Sequence, residues 1–236
     1  MKASSVQLSP WRVQIFTRMK SHLFLKIFGI TLFMWAFFAA YLYLLKNPVF
    51  PVTIMPLSFL DSAVGFKPDT LFLYGSLWFY VTLPAALQAT RRDLVYYALA
   101  VGTLCAAGLA CFLFWPTAVP AEHIDWNRDF GFSILKRVDA AGNACPSLHV
   151  ATAVFSAAWL NRQLFEVGAP RLVRAFNWAW CVGIAYSTMA TKQHVAVDVA
   201  AGAIMGMLAA SLSLAQPAFL ARQNRVPVQT ERRQGS

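Results

Sequence analysis

The chain has 236 residues and a net charge of +10, and 58% of its residues are hydrophobic while only 13% are charged. Soluble domains average about 45–50% apolar and about 25% charged residues, so this composition excludes an ordinary soluble enzyme, a disordered chain and a coiled coil. Most Lys and Arg residues lie between apolar runs, where such charges set membrane topology. We therefore expect no nucleic-acid partner.

The N-terminal segment, residues 1–22, is predicted to be basic and interfacial. Trp11, Ile15, Phe16 and Met19 recur at helical spacing among basic residues, which is typical of a helix on an anionic membrane surface. A basic flank without such a helix is the alternative. The first apolar run is long enough to span a membrane, which argues against a cleaved signal peptide.

Six apolar segments follow, each close to the roughly 20 residues that a transmembrane helix needs. Their approximate bounds are 23–45, 70–88, 94–115, 148–165, 172–188 and 194–215. They predict an all-α polytopic membrane protein, with six transmembrane helices in one bundle over residues 23–215 and a tail at 216–236. With the N-terminus inside, 13 Lys and Arg residues lie in inner segments and 6 in outer ones. This bias predicts cytoplasmic termini and a multi-pass inner-membrane protein.

Two outer loops are long enough to be functional or disordered. The first, 46–69, is apolar and rich in proline, and we expect it to lie in the membrane interface. The second, 116–146, is polar and carries several charges. The chain has four cysteines and no C-x-x-C pair, so neither a disulfide framework nor a zinc site is expected.

Ionisable side chains mark two of the last three spans. His149 opens the fourth span, His194 opens the sixth, and Asp198 lies one turn deeper. Ionisable residues at membrane depth are expensive and usually functional. Because positions i and i+4 share a helix face, Asp198 is expected to accept a hydrogen bond from one His194 nitrogen and to leave a lone pair on the other. This is the orienting half of a catalytic triad; a structural pair and a metal pair are the alternatives.

The predicted topology places both histidines at the outer surface, each at a helix N-terminus. Helix N-termini suit anions such as phosphate. Ser147 is a candidate N-cap that could instead bind a phosphate oxygen. The candidate cations for the phosphate are Lys136, Arg137 and Lys192. This set favours phosphoryl transfer over acyl transfer, and no metal is expected because no H-E-x-x-H motif or further ligand lies nearby.

Two stretches resemble motifs of the type-2 phosphatidic acid phosphatase superfamily. Residues 145–149, Cys-Pro-Ser-Leu-His, resemble its P-S-G-H motif, and residues 187–198 resemble its S-R-x-x-x-x-x-H-x-x-x-D motif in register. The six-span layout is also similar to that family. Leu148 replaces the motif Gly, Thr188 replaces the motif Arg, and the family's K-x-x-x-x-x-x-R-P motif is not recognisable after the third span. The P-S-L-H form is similar to the inositolphosphotransferase branch.

This resemblance implies a mechanism without metal or cofactor. His194 would attack phosphorus and form a phosphohistidine, Asp198 would orient His194, and His149 would protonate the leaving group. Ser147 and cations such as Lys192 would hold the phosphoryl oxygens.

The implied function is a membrane lipid phosphatase acting at the outer face. A phosphotransferase that passes the head group to an alcohol is the alternative, and a noncatalytic membrane binding or transport protein is the second alternative. The candidate lipids are phosphatidic acid, phosphatidylglycerol phosphate, undecaprenyl diphosphate, a lipid A phosphate and a sphingolipid donor. Oligomeric state leaves no mark on the sequence.

Overall fold

Helices dominate the architecture. The computed structural model describes residues 10–121 and 142–215. Over these residues the helices are α1 (Trp11–Lys20), α2 (Leu23–Lys46), α3 (Phe59–Ala63), α4 (Leu71–Tyr80), α5 (Leu83–Ala86), α6 (Arg91–Phe114), α7 (Leu148–Glu166), α8 (Arg171–Ala190) and α9 (Ala196–Leu214). A 3-10 turn (Pro68–Thr70) and two short strands, β1 (Thr53–Ile54) and β2 (Thr117–Ala118), accompany them. The prediction of a mostly helical protein is confirmed.

Three of the described helices, α2, α6 and α9, are long and apolar enough to cross a membrane. They have 24, 24 and 19 residues, which at 1.5 Å per residue gives about 28–36 Å, close to the roughly 30 Å hydrocarbon core of a bilayer. They coincide with the first, third and sixth predicted spans. These three helices indicate that the chain is a membrane protein. The number of six spans, the single bundle and the orientation stay predictions.

The second predicted span, 70–88, does not form one continuous helix. Helix α4 ends at Tyr80, and α5 begins at Leu83 after a turn at Val81 and Thr82. Pro84 lies in the first turn of α5, where its missing N–H leaves no hydrogen bond unmade. The sequence predicted an apolar segment here correctly, but it did not predict the break between α4 and α5.

The predicted N-terminal helix is present as α1. Its Trp11 and Ile15 pack against the hydrophobic cluster around α7, and Nη1 of Arg18 lies 3.5 Å from Oε2 of Glu166 at the end of α7. The helix therefore packs on the helices around α7. Its position on a membrane surface remains a prediction, and the predicted tail at 216–236 lies outside the described residues.

Helices α7 and α9 pack most closely, because two glycines of α9 face backbone atoms of α7. A Cβ on Gly202 would collide with the carbonyl oxygen of Ser147, and one on Gly206 would collide with that of Ala151. Small residues spaced four apart allow two membrane helices to approach in this way. Thirteen residues of α7 are buried, so α7 is the central helix of the described fold.

The loop at 46–69, which was predicted to be the first outer loop, contacts other parts of the fold, and its position in the membrane interface stays a prediction. Its strand β1 pairs in parallel with β2, with Thr53 opposite Thr117. Its helix α3 contacts the turn before α9 through Asp61, whose carboxylate accepts a hydrogen bond from the Ala196 N–H at 2.7 Å. Most of the second outer loop, including Lys136 and Arg137, lies outside the described residues.

Candidate active site

His149 is the second residue of α7, and its ring is enclosed by aromatic side chains of α4. The side chain is buried. Its Nε2 lies 2.8 Å from the hydroxyl oxygen of Tyr74, and the two rings stack with centroids 4.9 Å apart. Trp78 meets the same imidazole edge-on at 5.6 Å. The ring is thus fixed in position, and its Nδ1 faces away from Tyr74.

His194 lies in a tight turn between α8 and α9, just before the N-cap residue Val195. Lys192 takes a left-handed conformation with φ 58°. The N–H of Gln193 donates to the carbonyl of Thr188, and that of Lys192 to the carbonyl of Met189, both at 3.0 Å. This is the Schellman arrangement that ends helices, and the His194 N–H also donates to the Thr188 carbonyl, at 3.1 Å. The prediction that His194 opens the helix is therefore wrong by two residues, because α9 begins at Ala196.

The turn brings the two histidines into contact. Nε2 of His194 lies 3.4 Å from Nδ1 of His149. Nδ1 of His194 lies 3.6 Å from Oδ2 of Asp198, which is an ion-pair distance and longer than a hydrogen bond. Among the described residues, neither Nδ1 of His194 nor Oδ1 of Asp198 has a hydrogen-bond partner. Two buried polar atoms are therefore available to a ligand or to water.

Asp198 is fully buried as the third residue of α9. Its Oδ2 accepts a hydrogen bond from the Val195 N–H at 3.1 Å, so the carboxylate caps the helix that it belongs to. The cap holds the carboxylate at the N-terminus of α9, next to the turn that carries His194. The two side chains therefore do not share a helix face, contrary to the prediction from the sequence, because His194 precedes the helix.

Ser147 links the two histidine-bearing segments. As predicted, it is the N-cap of α7, and its Oγ accepts a hydrogen bond from the Val150 N–H at 3.3 Å. Its own N–H donates to the carbonyl oxygen of Asp198 at 3.0 Å. The two helix N-termini are therefore joined main chain to main chain and lie side by side.

Residues 67–222, about two thirds of the chain, match the family model described as PAP2 superfamily. The chain belongs to the PAP2 superfamily. The resemblance to the type-2 phosphatidic acid phosphatase superfamily is confirmed, and membership supports an activity of the phosphatase or phosphotransferase type. The similarity to the inositolphosphotransferase branch stays a prediction. No curated protein and no solved structure matches this chain.

Of the cations predicted for the phosphate of this PAP2 protein, Lys192 lies within the described residues, and it contacts the loop before α4. The Lys192 ammonium donates to the carbonyl oxygens of Asp61 at 3.2 Å and Val64 at 2.9 Å. Thr188, at the motif Arg position, is buried and its hydroxyl donates to the carbonyl of Ala185. Lys136 and Arg137 lie outside the described residues. Phosphate binding by these residues therefore stays a prediction.

Asp61 supports the site and was missed from the sequence. Its Oδ2 accepts hydrogen bonds from the N–H and Oγ of Ser58, both at 2.7 Å, while Oδ1 accepts from the Ala196 N–H. Burial alone would raise the pKa of this carboxyl, but these hydrogen bonds and the Lys192 charge hold the pKa below its ordinary value. The Ser58-x-x-Asp61 spacing, a capping-box pattern, was the signal available in the sequence.

Cys145 lies beside the site, but its thiol is not poised as a nucleophile. Burial, together with the nearby Asp198 carboxylate, raises the pKa of the Cys145 thiol to about 11, so it stays protonated at neutral pH. Its N–H donates to Oγ1 of Thr117 at 2.7 Å, which anchors the loop before α7. Within residues 10–121 and 142–215, no group of three His, Cys, Asp or Glu side chains is arranged to hold a metal.

Proposed function

We propose that this PAP2-superfamily protein is an integral-membrane lipid phosphatase that hydrolyses a phosphomonoester or diphosphate of a membrane lipid. The observation that carries the proposal is the 3.4 Å contact between Nε2 of His194 and Nδ1 of His149. A buried carboxylate lies behind the first histidine and a tyrosine hydroxyl behind the second. These are the partners that a nucleophile and a general acid need.

Asp198 prepares the nucleophile. Its carboxylate faces Nδ1 of His194 at 3.6 Å, so the neutral imidazole carries its proton on Nδ1 and keeps a lone pair on Nε2. As Nε2 attacks, the ring becomes positive, and the buried carboxylate stabilises that charge. The unpartnered Nδ1 and Oδ1 give this pair room to close by a few tenths of an ångström in the reacting complex.

Phosphoryl transfer then takes two steps. The lipid phosphate enters between the two facing ring nitrogens and parts them, and a P–N bond to His194 forms as the P–O bond to the lipid breaks. Protonated His149 gives its proton to the leaving oxygen. In the second step His149 takes a proton from water, the hydroxide attacks phosphorus, and the P–N bond breaks to release inorganic phosphate and restore His194.

The phosphate oxygens would lie between the N-termini of α7 and α9. The two N-termini lie side by side, and the positive end of a helix dipole favours an anion. In the proposed topology, six spans place this end of the bundle at the periplasmic or exterior face. In a variant that lacks the four native cysteines, Asn47→Cys should then react with a membrane-impermeant thiol reagent in intact cells, whereas Thr90→Cys should not; the reverse pattern would reject the orientation.

Phosphate release by the purified full-length protein in EDTA tests the function. We expect release from lipid phosphates, its loss in His194→Ala, and a decrease on the order of 10³–10⁴ in kcat for Asp198→Asn, as for the orienting carboxylate of a Ser-His-Asp triad. His22→Ala is the matched control because His22 is exposed at the far end of α2. An acid-labile, alkali-stable phosphoryl label on the wild type, absent in His194→Ala, would mark the phosphohistidine. Release that EDTA abolishes would refute a metal-independent mechanism.

A lipid phosphotransferase is the second candidate, favoured by Leu148 in the P-S-L-H motif. It uses the same first step, with an alcohol in place of water in the second. No phosphate release from any lipid, together with product formation when alcohols such as inositol are added, would favour this function. A noncatalytic binding or transport role predicts that His194→Ala changes neither assay.

A further inference from the structure

An apolar cavity of about 490 Å³ adjoins the histidines, between α2, α4 and α6. This volume falls within the range of about 300–1,000 Å³ typical of ligand pockets. Its walls are mostly hydrocarbon, and polar side chains line its two ends. Tyr74 and His149 lie at one end, here called the histidine end; Lys26 and Thr82 lie at the other, the lysine end. The ring that contacts His194 is thus also a wall of the cavity.

The cavity is long. On α2 its lining residues follow one helix face from Lys26 to Tyr41, a rise of about 22 Å at 1.5 Å per residue. That is some three quarters of a hydrocarbon core of about 30 Å. The length suits one long hydrocarbon chain.

The lysine end is closed by hydrogen bonds. The buried Lys26 ammonium donates to the carbonyl oxygens of Arg18 at 2.6 Å and Ala86 at 2.7 Å, and to Oγ of Ser21 at 3.3 Å. These bonds join α1, α2 and α5. A hydrocarbon chain cannot replace them, so a chain that enters from the histidine end has to stop here.

We propose that this cavity holds a single hydrocarbon chain of the phosphorylated lipid, and that the lysine end limits the chain length. Continuity with the site identifies the occupant, because a phosphate at His149 and His194 places the attached chain at the mouth of the cavity. The inference rests on the proposed function for the phosphate end. Gly29 lines the lysine end and Gly75 the histidine end, and an added Cβ meets nothing within 4 Å at either. Side chains added there would project into the cavity without straining the helices.

Chain-length profiles of two glycine variants test the proposal. Phosphate release is measured from octyl, dodecyl and hexadecyl phosphate in mixed micelles. We expect Gly29→Leu to lower the ratio of kcat/KM for hexadecyl over octyl phosphate at least tenfold, because only the long chain reaches it. Gly75→Leu should lower kcat/KM for every length. Ala39→Leu, on the opposite exposed face of α2, is the control and should keep the wild-type ratio. An unchanged ratio in Gly29→Leu would overturn the proposal.

A binding measurement separates this proposal from the function. Hexadecyl phosphate with a diazirine at its chain terminus is photolysed with His194→Ala protein, and the labelled peptide is mapped by mass spectrometry. Label on the cavity-lining residues Lys26, Gly29, Ile30, Thr82 or Ala85 supports the cavity as the chain site even if no variant turns over substrate, in which case the proposed function alone fails. Label confined to the lipid-facing side of α2, such as Phe28 or Trp35, overturns the chain site even if phosphate release is normal.

Discussion

Replacing Asp61 by Asn tests how the turn that carries His194 is held in place. The Asp61 carboxylate accepts three hydrogen bonds, two from Ser58 and one from the N–H of Ala196, the first residue of α9. Asn keeps one carbonyl oxygen for Ala196 but turns an NH₂ group toward two donors of Ser58. The substitution therefore changes charge and hydrogen bonding at constant volume.

The magnitude follows from these contacts. A hydrogen bond to a charged group contributes about 1.5–3 kcal/mol, and a buried donor left without an acceptor costs about 1–3 kcal/mol. Because Asn can retain the bond to Ala196, we expect a loss of about 2–4 kcal/mol in the free energy of unfolding. A shift of the His194 turn by about 1 Å would lower kcat/KM on the order of a hundredfold.

The pH dependence has a definite sign. The pKa of Asp61 is lowered in the folded protein from 3.8, so the stabilisation from its carboxylate is present above pH 4 and is lost as the pH falls through the folded-state pKa. Asp61→Asn should remove this acid-side loss of stability and be less stable at neutral pH.

Thermal unfolding in detergent and phosphate release at several pH values measure both effects. Asp69→Asn is the matched control because Asp69 is an exposed acid in the same loop. If Asp61→Asn were as stable and as active as Asp69→Asn at neutral pH, the view that Asp61 holds the His194 turn would be wrong.

Three further substitutions have expected outcomes. Tyr74→Phe removes the hydroxyl 2.8 Å from Nε2 of His149. Losing this hydrogen bond, which is worth about 0.5–1.5 kcal/mol, should lower kcat about twofold to tenfold and shift the pH profile of kcat. An unshifted profile, as expected for the exposed control Tyr43→Phe, would contradict a role in orienting His149. Gly202→Ala places a Cβ against the Ser147 carbonyl and should destabilise by about 1–3 kcal/mol in a thermal-unfolding assay, whereas Gly183→Ala, with 3.7 Å of room beside Leu73, should not. Lys192→Met removes the hydrogen bonds to the carbonyls of Asp61 in α3 and of Val64 just after it. A drop in thermal stability without substrate indicates that these bonds hold the loop, and a rise in KM alone would instead support phosphate binding.

The sequence was most informative where the structure depends on local pattern. Long apolar runs predicted α2, α6 and α9, because roughly twenty apolar residues have few stable alternatives to a membrane helix. The N-cap role of Ser147 also followed from residue type and position. The break between α4 and α5 was missed because average hydropathy does not register a proline in the first turn of a new helix.

The parts of the site that escaped prediction depend on contacts between distant segments. The Asp61 carboxylate meets Ala196 across 135 residues of chain, and Tyr74 meets His149 across 75. Neither pairing leaves a periodic signal in the sequence. The Lys192 ammonium was expected at the phosphate but binds α3 carbonyls, because sequence proximity to His194 does not fix the direction of a long side chain.

The tight seating of α7 against α9 has a consequence for how a lipid could reach the histidines. These two helices meet through glycine and backbone atoms and carry His149 and Asp198, so their separation is set by main chain and resists deformation. Helix α2, by contrast, buries only Lys26 and Tyr41, and the cavity lies along it. We therefore expect lateral entry of a lipid to displace α2 while His149 and Asp198 keep their spacing. The helix that moves is then a different one from the helices that carry the reactive residues.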